Sequence, residues 1–217
     1  MTESVKPRRR YRSERREIQA EATRIAILDA AQTLFATGGW GATTIAAIAK
    51  EAGVATETVY SRFGNKRAIV QALVVAAMRG GDPQTPFMEQ AGRQVVHTQT
   101  DPRLMIDAFS QDICGVLTRV APVLAVVRAA GETDGEMREL YLELHSARRR
   151  NLSRFISMLA GIRGLREGLD EQTATSHVWS LASPELFVLW TGAAKASPDA
   201  YCNWFAIALK RLLLEDP

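Results

Sequence analysis

Cysteines and histidines are scarce in this 217-residue chain, and it has no long apolar runs; each shortage closes off a class of chemistry. The only cysteines, Cys114 and Cys202, lie far apart in apolar sequence and form no C-x-x-C or His/Cys cluster. They do not point to a zinc site, and buried reduced thiols are expected. The three histidines, His97, His145 and His177, have no evident nucleophile or acid to work with, and no Gly-rich loop could cradle a phosphate. The chain is therefore not expected to be an enzyme, nor to hold a cofactor or a metal. No run reaches the roughly 18 apolar residues of a membrane span, and the Arg-rich N-terminus lacks the apolar stretch of a secretory signal. A cytoplasmic location without membrane contact is the expectation. Period-two alternation is missing too, so no strand is expected.

What remains is an ordinary globular composition, 47% hydrophobic and 24% charged, with its positive charge at one end. Residues 1–80 hold 13 Lys+Arg against 7 Asp+Glu, a balance of +6, whereas residues 81–217 hold 14 against 17, a balance of −3. Seven of these basic residues, Lys6, Arg8, Arg9, Arg10, Arg12, Arg15 and Arg16, crowd the first 16 positions. A polyanion could use charge placed this way. Alone, a basic tail is equally well a solvated chain end.

Apolar residues recur at three and four throughout, which predicts an all-α chain. Ile25, Leu28, Ala31, Leu34 and Phe35 stripe a first helix that Gly38-Gly39 should end. Thr43 or Thr44 should cap a second helix with Ile45, Ile48 and Ala49, ending before Gly53. A short third helix is predicted over about 55–62, and a fourth from Asn65 to Gly80-Gly81. Residues 81–101 are rich in loop formers, with a short helix expected around Phe87 to Val96. Asp101-Pro102 starts the next helices, Leu104 to Val120 and Pro122 to Ala130, which should bend at Pro122. A long helix then runs to Gly161. The last segments begin at Asp170 and at Ser197-Pro198, with a break at Ser183-Pro184.

Two helices joined by a tight glycine turn and crossing steeply make a helix-turn-helix. Its demands are met by a small Ala49 at the crossing, by Gly53 at the turn, and by apolar Val54, Val59 and Phe63. At 100° per residue, Val59 and Phe63 point within about 40° of each other, leaving Glu57, Tyr60 and Ser61 outward with Thr58 on a flank. Small polar and hydroxyl groups on a rigid helix suit phosphate positioning and base-edge reading in a major groove. Any polar-faced amphipathic helix shares the pattern; the whole unit and the basic N-terminal half set this one apart.

Residues 24–73, from "RIAILDAAQTLFATGGWGATTIAAIAKEAGVATETVY" through "SRFGNKRAIVQAL", resemble the DNA-binding domain of the TetR (tetracycline-repressor) family of bacterial transcriptional regulators. The likeness joins the first helix, the Gly38–Gly41 loop with its aromatic, the Thr-capped second helix, the Val-x(4)-Val-Tyr-x-x-Phe segment and the Asn65-Lys66 start of helix four, in order and without gaps. It implies that Thr44 donates to a phosphate, that Thr56, Glu57 and Thr58 approach bases, and that Tyr60 and Lys66 hold phosphates. Ser61 shares this exposed face and Arg62 is a further backbone contact. Glu57 departs from what a phosphate backbone favours, unless it accepts from a cytosine amino group. Arg8, Arg9, Arg10 and Arg12 would belong to a basic arm entering the minor groove.

The resemblance further implies a basic arm at 1–19, a helix-turn-helix DNA-binding domain at 20–66, and a larger helical effector-binding and dimerisation domain at 67–217. Dimers of the family form through the last two long helices. Here Val178, Trp179, Leu186, Leu189, Trp204, Ile207 and Leu212 supply apolar surface for a homodimer, though such residues also suit the subunit's own core. An effector pocket is implied as well, with Met105, Phe109, Ile113, Met137, Tyr141, Phe155 and Met158 as apolar lining and Arg128, His145 and Asn151 as polar anchors; the apolar set equally describes any helical core. The expected function is a sequence-specific regulator, by default a repressor, that binds a palindromic operator in double-stranded DNA as a dimer and is released by a largely apolar small molecule. The alternative is an architectural DNA-binding protein tolerant of sequence.

Overall fold

The structure, a computed structural model, describes residues 8–80 and 91–215; the side chains of residues 8–14, 91 and 92 lie outside that description. Among the described residues every regular element is a helix. They are α1 (Arg8–Ala42), α2 (Ile45–Glu51), α3 (Thr56–Phe63), α4 (Lys66–Arg79), α5 (Ala91–Thr98), α6 (Pro102–Ala130), α7 (Gly135–Gly161), α8 (Glu171–Leu181), α9 (Pro184–Val188), which continues into a π-helical turn (Leu189–Ala193), and α10 (Pro198–Leu213). Contacts divide the chain into two compact units, Met1–Leu73 and Val74–Pro217, so the division falls within α4.

Local sequence explains most helix ends. Oxygen side chains accept from the first turn at Thr44, Asp101, Asp134, Asp170, Ser183 and Ser197, and prolines follow at positions 102, 184 and 198. Each pair of cap and proline satisfies or removes a donor that the helix cannot bond internally. Asn65 does the same for α4, its Oδ1 accepting from Ala68 N–H at 2.8 Å. α1 is interrupted at Gly39, whose φ of 66° is open chiefly to glycine, and begins at Arg8, so residues 8–19 continue the helix of the first unit.

The first unit packs Ile27, Leu28, Ala31 and Phe35 of α1, Ile48 and Ala49 of α2, Val59 of α3 and Ile69, Val70 and Leu73 of α4 out of solvent. The second centres on α6, which packs against α5, α7, α9 and α10. Its core includes Met105, Ile106, Phe109, Leu152, Phe155, Ile156, Leu159, Val178, Tyr201 and Phe205.

Two expectations need correction, and one stands with an addition. α6 runs unbroken through Pro122. Pro122 and Thr118, whose carbonyl loses its donor, are both exposed, while Val120, Ala121, Val123 and Leu124 are buried, so tertiary packing holds the helix across the missing bond. α6 is also long and apolar enough, by length and composition, to cross a membrane. Counting uninterrupted apolar residues missed this because Asp112 and Arg119 punctuate the run. Finally, Cys114 and Cys202 are not separate thiols. They form a disulfide between α6 and α10, with Cα atoms 5.9 Å apart across 88 positions of sequence. Sequence distance says nothing about the pairing of helices that contact one another in the fold.

A disulfide closing so long a loop restricts the unfolded chain. Replacing both cysteines by alanine, or adding dithiothreitol to the native protein, is expected to lower stability by about 2–4 kcal/mol in urea denaturation, with the double variant indifferent to reductant.

Candidate nucleic-acid interface and ligand cavity

α2 and α3 are held together by a turn whose backbone is fully engaged: Gly53 N–H donates to the Lys50 carbonyl at 3.2 Å and Val54 N–H to the Ala49 carbonyl at 3.0 Å. Gly53 sits at φ 65°, a conformation a Cβ would strain. Beyond the turn, Val59 is the residue of α3 that is buried, against a core containing Ile48 and Ala49. Glu57, Tyr60, Ser61 and Arg62 are exposed, and Thr56 and Thr58 are half-buried. Tyr60 keeps 53% of its surface exposed, although large aromatics are on average mostly buried. Ser61 Oγ turns back to the Thr58 carbonyl at 3.0 Å. Thr44 caps α2, its Oγ1 accepting from Ala47 N–H at 3.1 Å, and is exposed. Its hydroxyl hydrogen is not engaged by that bond, since capping uses the oxygen as acceptor.

Lys66 was expected to reach outward from the head of α4. Its Nζ instead donates to the carbonyls of Trp40 at 2.7 Å and Thr43 at 2.9 Å, and lies 3.9 Å from the centroid of the Trp40 ring. Trp40 stacks on Phe35 with centroids 5.8 Å apart. Thr43, 3% exposed, donates to the Gly39 carbonyl at 2.8 Å and lies 3.1 Å from that of Leu34. The ammonium thus ties α4 to the segment from Trp40 to Thr43 that follows the Gly39 kink of α1, and its charge stays at the N-terminus of α4. Sequence reading noticed Trp40 as a loop aromatic and Thr43 as a possible cap, and missed that both serve this anchor. The backbone at Arg8, Arg9, Arg10 and Arg12 is helical, and their side chains lie outside the described residues.

In the second unit two cavities adjoin. The larger, of about 130 Å³, is walled by aliphatic residues of α4, α6, α7 and the α8–α9 junction together with Arg93, Arg148 and Asn151. The smaller, of about 90 Å³, shares Arg93, Ile113, Asn151 and Leu152 with it and adds Phe109, Phe155, His97 and Asp112. Of the expected lining residues, Ile113 and Asn151 border both, while Met158 and the stacked pair Phe109 and Phe155, with centroids 3.6 Å apart, border the smaller. Met105 and Met137 are buried in the core and line neither. Arg128 is exposed, 4.0 Å from Glu132.

Tyr141 and His145 meet at Glu185 instead: the Tyr141 hydroxyl donates to Glu185 Oε1 at 2.8 Å, and His145 Nε2 is 3.3 Å from the same oxygen. Arg148 Nη2 lies 3.4 Å from His145 Nδ1, and Arg148 Nη1 donates to the carbonyls of Trp179 at 2.8 Å and Ala182 at 3.1 Å. The guanidinium therefore caps the C-terminus of α8 and packs 4.9 Å from the Trp179 ring while also bordering the larger cavity. Its place was readable from spacing, since Tyr141, His145 and Arg148 follow each other at four and three on one face of α7.

Of the residues expected at a dimer interface, Val178 is wholly inside the subunit's own core, so its apolarity is accounted for without a partner. Trp179, Leu186, Trp204 and Leu212 are half-buried against that core. Leu189 and Ile207 remain 57% and 53% exposed, beside Val188 at 41%.

Residues 27–73 match the sequence profile of a family described as bacterial regulatory proteins, tetR family. No curated protein sequence matches. Among solved structures the chain is similar to NalD of Pseudomonas aeruginosa, described as the secondary repressor of the MexAB-OprM multidrug efflux pump, at 24% identity and TM-score 0.69 over 91% of this chain and 98% of that one. It is similar to PfmR of Thermus thermophilus, a TetR family transcriptional regulator, at 19% identity and TM-score 0.60 over 87% and 99%. A transcriptional regulator from Saccharomonospora viridis in complex with choline matches at 19% identity and TM-score 0.66 over 89% and 98%. At these identities the likeness is one of fold.

Burial alone would raise the Glu185 pKa, but the bonds from His145 and Tyr141 outweigh it and hold the carboxyl at about 2, well below its ordinary 4.5. A group depressed in the folded state stabilises it above the unfolded pKa and loses that contribution as pH falls through the folded one. Urea midpoints of the native protein should therefore decline between about pH 4.5 and about pH 2, and Glu185→Gln should flatten that part of the profile.

Proposed function

We propose that this chain, whose residues 27–73 match the profile of the tetR family of bacterial regulatory proteins, is a DNA-binding transcriptional regulator of the cytoplasm. In this reading it represses by binding a palindromic operator as a homodimer and is released by a small, largely apolar effector. The observation that carries the reading is α3 itself: a helix anchored from behind by Val59 that turns Glu57, Tyr60, Ser61 and Arg62 to solvent. Phosphate contacts position such a helix and base-edge contacts give it specificity. Thr44, Tyr60 and Arg62 take the first role, and Thr56, Glu57 and Thr58 the second. Lys66 supports the segment from Trp40 to Thr43 and adds positive potential at the head of α4, where a helix N-terminus already favours an anion. The basic residues Arg8, Arg9, Arg10 and Arg12 add affinity that is independent of sequence.

A single copy reads one half-site. Two copies joined through α8, α9 and α10 would read two half-sites about 34–36 Å apart, one turn of DNA. Exposed Val188, Leu189 and Ile207 support that use, flanked by half-buried Trp179, Leu186, Trp204 and Leu212. The cavities in the second unit support an effector. A ligand that favours a form poorly matched to DNA lowers DNA affinity, and DNA lowers ligand affinity by the same factor.

Selection of binding sites from random duplex should return a palindrome preferred by about 10³ or more over unrelated DNA. Tyr60→Phe should weaken binding to all sequences alike, whereas Thr56→Ala should change the preferred base at one position of each half-site. Binding without preference would favour the architectural alternative, and a monomer that stays monomeric on DNA would defeat the dimeric reading.

A further inference from the structure

We propose that the two adjoining cavities take a small apolar molecule carrying one carboxylate, with the Arg148 guanidinium as the partner of the anion; this rests on the effector reading above. The walls of the larger cavity contain no carboxylate and no aromatic face. Their polar members are Arg93, Arg148 and Asn151, and the rest are Val, Met, Ile, Leu, Ala and Pro. A quaternary ammonium ion would find neither an opposite charge nor a ring there, and in the smaller cavity the one carboxylate, Asp112, is already paired with Arg93 at 3.4 Å and the Phe109 and Phe155 rings are stacked on each other. A neutral hydrocarbon would suit the aliphatic walls but would leave Arg148 Nε without an acceptor.

Arg148 is prepared to receive an acceptor. Nη1 is fixed by the Trp179 and Ala182 carbonyls and Nη2 by His145, while Nε is buried with no hydrogen-bond partner. A buried charged donor left without an acceptor is costly, and a ligand oxygen that reached it on a small turn of the side chain, which borders the cavity, would remove that cost. Charge around the cavities runs the same way. Arg93, Arg148 and Arg154 line the cavities against Asp112, with Arg119 and Glu185 outside the walls, and both acids are engaged, Asp112 with Arg93 at 3.4 Å and Glu185 with Tyr141 and His145. Burial lowers the Arg148 pKa to about 10, the signature of a cation deprived of solvent. An anion would return the stabilisation that burial removes.

Size narrows the class further. An apolar cavity of about 150 Å³ holds benzene, so spaces of about 130 and 90 Å³ meeting at Ile113 and Leu152 suit one six-membered ring with a short arm.

The test uses the full-length protein and three probes of matched skeleton: 3-phenylpropionate, 3-phenylpropanamide and (2-phenylethyl)trimethylammonium, with affinities from calorimetry at neutral pH. The acid should bind at least about tenfold more tightly than either companion. Arg148→Gln should bring the acid down to the amide's affinity and leave the amide unchanged, and Arg148→Lys should restore part of the preference. Because Arg148 also caps α8, circular dichroism must show each variant folded; if one is not, the comparison of acid with amide on the native protein decides alone. An amide or ammonium that binds as tightly as the acid would overturn the anion assignment and leave the effector cavity standing. No binding by any probe, or binding undiminished in Leu144→Trp, which fills the larger cavity, would overturn the cavity reading itself.

Discussion

An eight-residue helix has no stability of its own in water, because nucleating it costs more than its few hydrogen bonds return. α3 exists because Val59 is buried behind it and because Gly53 lets the chain turn sharply enough to bring it onto α2. The outward display of polar groups proposed to meet DNA depends on that one packing arrangement. The Lys66 ammonium protects the arrangement from the other side, joining the start of α4 to the carbonyls of Trp40 and Thr43. A cation at that point both fixes that segment and leaves positive potential at the edge of the same surface.

Local features of the fold were legible in the sequence because they are written locally. Thr44, Asn65, Asp101, Ser183 and Ser197 announce helix starts by side-chain chemistry alone, and Gly39 and Gly53 announce reversals by the conformations they permit. The outward set on α3 followed from helical periodicity once Val59 and Phe63 were taken as the inner face. Features that depend on distant segments were not legible. Pro122 should end a helix on local grounds, yet the packing of Val120, Val123 and Leu124 overrides it. Cys114 and Cys202 look unrelated until α6 and α10 are laid together. Lining the cavity is likewise a tertiary property: Met105 and Met137 read as well as Ile113 in a stripe, but only Ile113 faces open space.

Arg148 illustrates how one side chain can join two parts of a structure. Helix C-termini leave carbonyls without partners, and α8 resolves this with donors from elsewhere in the chain, Arg148 on Trp179 and Ala182 and the Tyr201 hydroxyl on Leu181. The end of α8 is therefore positioned by α7 and α10. Since the same guanidinium borders the larger cavity, whatever occupies that space acts on the cap of a helix that carries half-buried Trp179 toward the proposed dimer face.

The division of labour within α3 has an evolutionary corollary. Its inner residue bears the folding requirement, while the outer positions 57, 60, 61 and 62 show no tertiary hydrogen bond or ion pair among the described contacts beyond Ser61's turn to its own helix. Substitutions there are close to neutral for stability, as surface changes generally are. A lineage built on this scaffold could exchange one target site for another by drifting at those few positions, without first acquiring compensating changes in the core.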